Sequence, residues 1–140
     1  MREQGESFGA WWDEGREIIE KLVSTADIVV ENFGPGTMDR LGLGYDQLNK
    51  LNERLIYLSL KGFLSGPYQS RTAMDEVVQM MGGLAYMTGP PGQPLRAGTS
   101  IIDIGGGMFG TMGVLLALYE RERTGKGKFI KSALFETTAF

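Results

Sequence analysis

An aspartate closely followed by three glycines is the part of this sequence best suited to chemistry. Asp103 lies in the string Ser-Ile-Ile-Asp-Ile-Gly-Gly-Gly-Met at residues 100–108. We interpret the glycines as a turn that opens a helix, where exposed backbone N–H groups favour an ionised carboxylate. An ionised carboxylate that another molecule can approach is able to act as a nucleophile toward an activated acyl group. The alternative is that Asp103 only caps the helix, since aspartate is a preferred N-cap residue.

Composition narrows the classes of function. The 140 residues include no cysteine and no histidine, which excludes disulfides and thiolate catalysis and predicts no metal site. The net charge of −3 argues against general nucleic-acid binding, which needs a basic face. The longest apolar stretch, residues 108–119, falls short of the roughly 18 residues of a membrane span, and no signal pattern opens the sequence. We therefore expect a cytoplasmic protein that binds neither nucleic acid nor membrane.

Helical and β-branched patterns alternate along the chain. Apolar spacing predicts helices at residues 16–26, 45–51, 73–84 and 103–123, and the start of another at 136–140. Short β-branched runs predict strands at residues 27–33, 54–60 and 128–134. Thr37 is predicted to cap a short turn that ends at Gly42. This alternation indicates an α/β fold with a partial parallel sheet and packed helices.

Glycines also recur on one side of the longest predicted helix. Gly106, Gly110 and Gly113 are spaced so that they share one helix face. A face without side chains lets a helix approach its neighbour closely. The pattern predicts close packing along this side.

Two motifs, in this order and spacing, carry a resemblance to a known family. The string Glu-Asn-Phe-Gly-Pro-Gly begins at Glu31 and is followed by Asp-Arg-Leu-Gly at residues 39–42, and Arg-Thr-Gly-Lys-Gly occupies residues 123–127. With residues 54–63, 66–68 and 74–79, these strings resemble the family III CoA-transferases, also called the CaiB/BaiF family. The resemblance covers residues 15–140 and leaves residues 1–14 as an atypical segment. Family enzymes are several hundred residues long, so the resemblance implies an internal or truncated piece of such a domain.

The resemblance implies a reaction for Asp103. In the family, the matching aspartate attacks a CoA thioester to give a mixed anhydride, and the released CoA thiolate then forms an aspartyl thioester. An acceptor acid takes CoA through a second anhydride. The backbone N–H groups of Gly105, Gly106 and Gly107 are expected to stabilise the oxyanions. CoA or acyl-CoA and a small carboxylic acid are the implied partners, and no cofactor is needed because CoA is a substrate.

Further site residues are carried over by position. Asp75 matches a second family carboxylate that faces the substrate, although it could instead be a first-turn acid that complements a helix dipole. Asn32, Phe33 and Arg40 match residues that hold the nucleotide end of CoA. For Phe33 the alternative is core packing, and for Arg40 an exposed helix cation. Finally, Lys61 and Met74 are expected to line the pantetheine or acyl channel.

Rival functions remain open at this point. A non-catalytic relic or an oligomerising interaction module would keep the fold segment without a complete site. A related branch, the acyl-CoA racemases, carries histidine where this chain has Met74, and two-base proton transfer needs that imidazole or a substitute. We therefore disfavour racemisation. The resemblance and the apolar circumference of the longest helix predict a homodimer or a higher even oligomer.

Overall fold

Ten elements follow one another in a computed structural model that describes the backbone of residues 3–139 and the side chains of residues 12–139. The helices are α1 (Glu3–Val23), α2 (Thr37–Arg40), α3 (Tyr45–Leu51), α4 (Asp75–Met81), α5 (Leu84–Thr88), α6 (Ile101–Thr124) and α7 (Leu134–Thr137). The strands are β1 (Ile28–Glu31), β2 (Ile56–Lys61) and β3 (Lys128–Ala133).

The three strands form one parallel sheet in the order β1-β2-β3. Ile28 pairs with Ile56, and Ile56 pairs with Lys128 on its other side, so the carboxyl ends of all strands meet at one edge. Parallel strands need crossover connections, and helices supply them here. The predicted α/β fold with a partial parallel sheet is confirmed.

Two apolar clusters lie on opposite faces of the sheet. One holds side chains from α1, α3, β2 and the connecting loops: Val23, Leu43, Leu48, Leu55 and Tyr57. The other holds β2 and α6 side chains: Ile56, Leu58, Val114 and Ala117. Burial on both faces explains why residues 55–58 form a continuous apolar run rather than an alternating one.

Helix α6 lies against the sheet through its glycines. A Cβ atom added at Gly110 would lie 3.0 Å from Leu58 Cδ2, and one added at Gly113 would lie 2.9 Å from Ile130 Cγ2. These separations are shorter than ordinary carbon–carbon contacts, so a side chain at either position would press on the sheet unless Leu58, Ile130 or α6 itself moved. The predicted close packing along this face is confirmed.

The opposite face of α6 is apolar and exposed. Among the described residues, α6 is the one helix that is long and apolar enough, by length and composition alone, to cross a membrane. The sequence did not predict this, because the apolar stretch at residues 108–119 is shorter than the helix. Its contacts with β2, β3 and α7 are those of a core helix, whereas its outer face is open. That face is formed by Met108, Met112, Leu115, Leu116 and Tyr119.

Most predicted strand and helix ends shift by one or two residues, and the larger differences concern α1, α4, α2 and α7. Helix α1 starts at Glu3 and ends at Val23, so it includes most of the atypical N-terminal segment and leaves residues 24–26 outside. The helix predicted at residues 73–84 is interrupted by Gly83, whose φ of 87° is left-handed and cannot continue a helix. The prediction that Thr37 caps its helix is wrong, because Gly36 holds the N-cap position and Thr37 is the first helical residue. Helix α7 begins at Leu134, two residues before the predicted start at Glu136.

Candidate active site

A cavity of about 470 Å³ lies at the carboxyl edge of the sheet. In open α/β sheets this edge is where ligands bind, because strand-to-helix loops converge there. The wall consists of the segments that follow the strands, the start of α4 and the first turns of α6, including Asn32, Phe33, Gly34, Pro35, Leu60, Lys61, Gly62, Met74, Asp75, Glu76, Asp103, Gly106, Gly107, Ala133 and Leu134.

Most of the predicted site residues meet in this wall. The structure brings together Asn32, Phe33, Lys61, Met74, Asp75, Asp103, Gly106 and Gly107. It does not place Arg40 or Gly105 among the residues that line the cavity. The resemblance therefore selected residues that are far apart in sequence and close in space.

Asp103 is the third residue of α6 rather than the residue before a glycine turn. The helix begins at Ile101, and Gly105–Gly107 lie within its second turn. Beyond the first turn of an α-helix each N–H donates to the carbonyl four residues earlier. The predicted glycine turn is wrong, and these three amides are not free oxyanion donors because the helix itself uses them.

The Asp103 carboxylate lines the cavity and, like that of Glu76, is not paired with another group among the described residues. Within residues 12–139 the structure shows no hydrogen bond or ion pair to its oxygens. Asp103 is exposed as a residue, but partial burial of its carboxylate raises its pKa above the ordinary value. The charges of Asp75 and Glu76 raise the pKa further, and the Arg96 guanidinium opposes them in part. A more basic carboxylate without a partner is suited to nucleophilic attack.

Asp75 differs from Asp103, because both of its carboxylate oxygens accept hydrogen bonds. It is 2% exposed, and its Oδ2 accepts the N–H groups of Ile102 at 2.8 Å and Asp103 at 3.1 Å. Its Oδ1 accepts the side-chain amide of Gln79 and faces Arg96 Nη2 at 3.5 Å. Burial alone would raise the pKa of Asp75, but these hydrogen bonds and the guanidinium outweigh it and lower the pKa below its ordinary value.

Lys61 and Glu31 form a buried ion pair that fixes the turn after β1. Lys61 Nζ donates to Glu31 Oε2 at 2.7 Å and to the Phe33 carbonyl at 2.6 Å. Glu31 also accepts the Phe33 N–H at 2.9 Å and the Ser59 hydroxyl. Lys61 thus uses one donor on Glu31 and one on the Phe33 carbonyl, and its third donor remains for a ligand.

Phe33 and Arg40 lie on either side of that turn. Phe33 is 54% exposed and lines the cavity, so its alternative interpretation as a core residue is wrong. Arg40 is exposed, and its guanidinium donates to Thr37 Oγ1 at 2.9 Å and to the Pro35 carbonyl at 3.5 Å. These bonds fold Arg40 back over the turn. Its contact with a nucleotide phosphate stays a prediction.

Two arginines of this region were missed from the sequence. Arg71 lines the cavity, and its guanidinium lies 4.8 Å from the centre of the Tyr68 ring. Arg96 contacts Asp75 and, at 3.5 Å, the Ser100 hydroxyl. Because Arg71 stands only four residues before Asp75, its place near the site could have been predicted from the sequence. The place of Arg96 could not, because it lies in a loop whose position depends on tertiary structure.

The fold and the wall define a class of protein: an α/β domain that presents an unpaired carboxylate in a cavity at the carboxyl edge of a parallel sheet. The family model described as CoA-transferase family III matches residues 12–140. That match includes both motifs and every residue of the cavity wall. The chain belongs to CoA-transferase family III.

Several relatives resemble it closely over part of their length. It is 47% identical over 126 residues to an acyl-CoA transferase of Fusarium pseudograminearum, covering 89% of this chain and 28% of that protein. It is 49% identical over 130 residues to an acetyl-CoA:oxalate CoA-transferase of Acetobacter aceti, covering 90% of this chain and 33% of that protein. A crystal structure of a CaiB/BaiF family protein from Brucella suis superposes with a TM-score of 0.86 at 42% identity, covering 90% of this chain and 34% of that one. The chain therefore spans about a third of the length of the relatives it matches.

Proposed function

We propose that this chain supplies the nucleophile and part of the CoA site for transfer of CoA between an acyl-CoA and a small carboxylic acid. The observation that carries the proposal is the unpaired Asp103 carboxylate in the wall of the cavity at the carboxyl edge. Membership of a family whose relatives include an acetyl-CoA:oxalate CoA-transferase supports the choice of substrates.

The proposed reaction needs only Asp103, the acyl-CoA and the acceptor acid. An Asp103 oxygen bonds to the thioester carbonyl carbon, and the C–S bond breaks with its electron pair leaving as CoA thiolate. The thiolate attacks the Asp103 carbonyl of the mixed anhydride and expels the donor acid as its carboxylate. The acceptor carboxylate then displaces the thiolate from the aspartyl thioester. Attack of the thiolate at the acceptor carbonyl finally gives the new thioester and regenerates Asp103.

The geometry assigns supporting roles to the rest of the wall. Lys61 and Glu31 hold the turn that presents Asn32 and Phe33 to the CoA moiety. Met74 is 62% exposed and lines the cavity, where a flexible thioether suits an acyl or pantetheine chain. Met74 also occupies the position at which racemases of the family carry histidine, which supports transfer over racemisation.

Trapping of the acyl-enzyme tests this proposal. The chain is incubated with acetyl-CoA and then with hydroxylamine, which converts an aspartyl anhydride or thioester to an aspartyl hydroxamate that peptide mass spectrometry can locate. We expect the hydroxamate at Asp103 in the unmodified chain and none in Asp103→Asn. Calorimetric titration with CoA alone distinguishes the proposed enzyme from the alternative of a non-catalytic interaction module, because a module without a site would bind no CoA. A hydroxamate at another residue, or equal labelling of the variant, would contradict the assignment.

A further inference from the structure

The start of α6 lacks a cap from its own sequence. Ser100 occupies the N-cap position but makes no side-chain capping hydrogen bond. The first N–H groups of a helix have no partner within the helix and must be satisfied from outside. Here a residue from another helix does so: Asp75 of α4 accepts two consecutive amides, those of Ile102 and Asp103.

We propose that Asp75 is a positioning residue for Asp103. The buried Asp75 carboxylate belongs to α4 but caps α6, and it thereby fixes the backbone that carries the nucleophile. The proposal deepens the proposed function and rests on it. It replaces the prediction that Asp75 faces the substrate, because both of its oxygens are already occupied by protein donors.

Gln79 and Arg96 make this cap rigid. Gln79 is fully buried, and its amide nitrogen donates to Asp75 and, at 3.4 Å, to the Thr99 carbonyl. Its amide oxygen accepts the Ala97 N–H at 2.8 Å. The loop that leads into α6 is therefore fastened to α4 through Gln79 at two points. Arg96 adds a third through its contacts with Asp75 and with the Ser100 hydroxyl.

The same arrangement places negative charge beside the nucleophile. Asp75 and Glu76 approach from α4, and Arg96 opposes them from the loop. Across the cavity, Lys61 is neutralised by Glu31, and Arg71 rests on Tyr68. On α7, Glu136 is occupied by the Leu64 N–H. Asp75 and Glu76 thus make Asp103 more basic, and Asp75 alone also touches its backbone.

Nuclear magnetic resonance on the whole chain separates these two effects. In Asp75→Ala we expect the amides of Ile102 and Asp103 to exchange with solvent at least about tenfold faster, since each loses a hydrogen bond to a charged group. We expect the pKa of Asp103 to fall as well, because a neighbouring negative charge is removed. Asp75→Asn keeps an acceptor oxygen without the charge, so it should give the same fall in pKa with a smaller rise in exchange. Asp75→Asn also provides the test if the alanine variant does not fold.

Glu76→Gln is the matched control. It should lower the pKa of Asp103 while leaving both amides protected, since Glu76 adds charge without capping α6. Unchanged exchange of Ile102 and Asp103 in both Asp75 variants would overturn the positioning role. These measurements need no substrate, so their failure is distinct from failure of the proposed function. Absence of acyl-enzyme in the unmodified chain would remove the function and leave the cap in place.

Discussion

Asp75 and Asp103 are neighbouring carboxylates whose charges affect folding in opposite directions. The pKa of Asp103 is raised in the folded chain, so its contribution to stability is complete at acidic pH and is lost as pH rises through the folded pKa. The pKa of Asp75 is lowered, so its contribution is present above the unfolded pKa and is lost as pH falls through the folded pKa. At neutral pH the ionised Asp103 carboxylate therefore destabilises the folded chain, whereas the ionised Asp75 carboxylate stabilises it.

A pair of asparagine substitutions tests this difference. We expect Asp103→Asn to raise the melting temperature at pH 7, with most of the gain lost near pH 3, about one unit below the ordinary aspartate pKa of about 4. We expect Asp75→Asn to lower stability at pH 7 by about 2 kcal/mol, the scale of lost charged hydrogen bonds, with a smaller loss in acid. Calorimetric unfolding at both pH values measures both effects. A stabilising Asp75→Asn at pH 7 would contradict the interpretation.

Arg40 carries the prediction that concerns the nucleotide end of CoA. We expect Arg40→Ala to weaken CoA binding by about 1–3 kcal/mol, because a guanidinium bonded to phosphate is lost. Arg123→Ala is the matched control, since Arg123 is exposed in the last turn of α6, away from the cavity. Calorimetric titration with CoA measures both variants. Equal losses in the two variants would indicate nonspecific attraction rather than a site at Arg40.

At the scale of elements, the glycine face of α6 sets its distance from the sheet. We expect Gly110→Ala to destabilise the chain by about 1–3 kcal/mol, because the new methyl group would press on Leu58. Gly15→Ala is the control, since Gly15 lies in α1 with no atom within 4 Å of the added Cβ. That change should stabilise by up to about 1 kcal/mol through helix propensity. Chemical denaturation measures both, and a gain at both positions would show that α6 can move away from β2.

The elements were largely predictable, because their signals are local. The strands and α6 follow from β-branched runs and from helical spacing, and the glycine face followed from periodicity alone. The break after Met81 was not predicted, since Gly83 is compatible with a helix until tertiary structure selects its left-handed conformation. The start of α1 was not predicted, although Phe8, Trp11 and Trp12 continue the helical spacing of the apolar residues that follow them.

The site was predictable only in part, and for a physical reason. Asn32, Phe33, Met74 and Asp103 were found through motifs, and the sheet brings them together because its strands are parallel. The role of Asp75 was not readable, because its partners Ile102 and Asp103 lie far along the chain. Lys61 likewise has a partner, Glu31, that no local pattern connects to it.

At the scale of the molecule, the exposed apolar face of α6 needs a cover. We propose that a second copy of the chain supplies it and that the chain forms a homodimer or a higher even oligomer. Leu116 is 70% exposed at the middle of this face. We expect sedimentation at micromolar concentration to show association that varies little with salt, since apolar burial drives it.

Substitutions on α6 test the identity of that surface. Leu116→Lys should shift the chain toward monomer, whereas Glu122→Lys, at an exposed polar position of the same helix, should leave association unchanged. A compact monomer at every concentration would contradict the proposal. Binding of the unmodified chain to neutral lipid vesicles, abolished by Leu116→Lys, would instead assign the face to a membrane.

The order of the strands has a consequence for how the chain reaches its folded state. β2 pairs with β3 although three helices separate them in sequence, and β3 with Leu134 forms one wall of the cavity. Pairings between distant segments form late, because loop-closure entropy opposes them until other contacts exist. During synthesis the cavity therefore cannot exist until β3 has left the ribosome. Any ligand of the cavity binds only the folded chain, so it slows unfolding without guiding the earlier steps of folding.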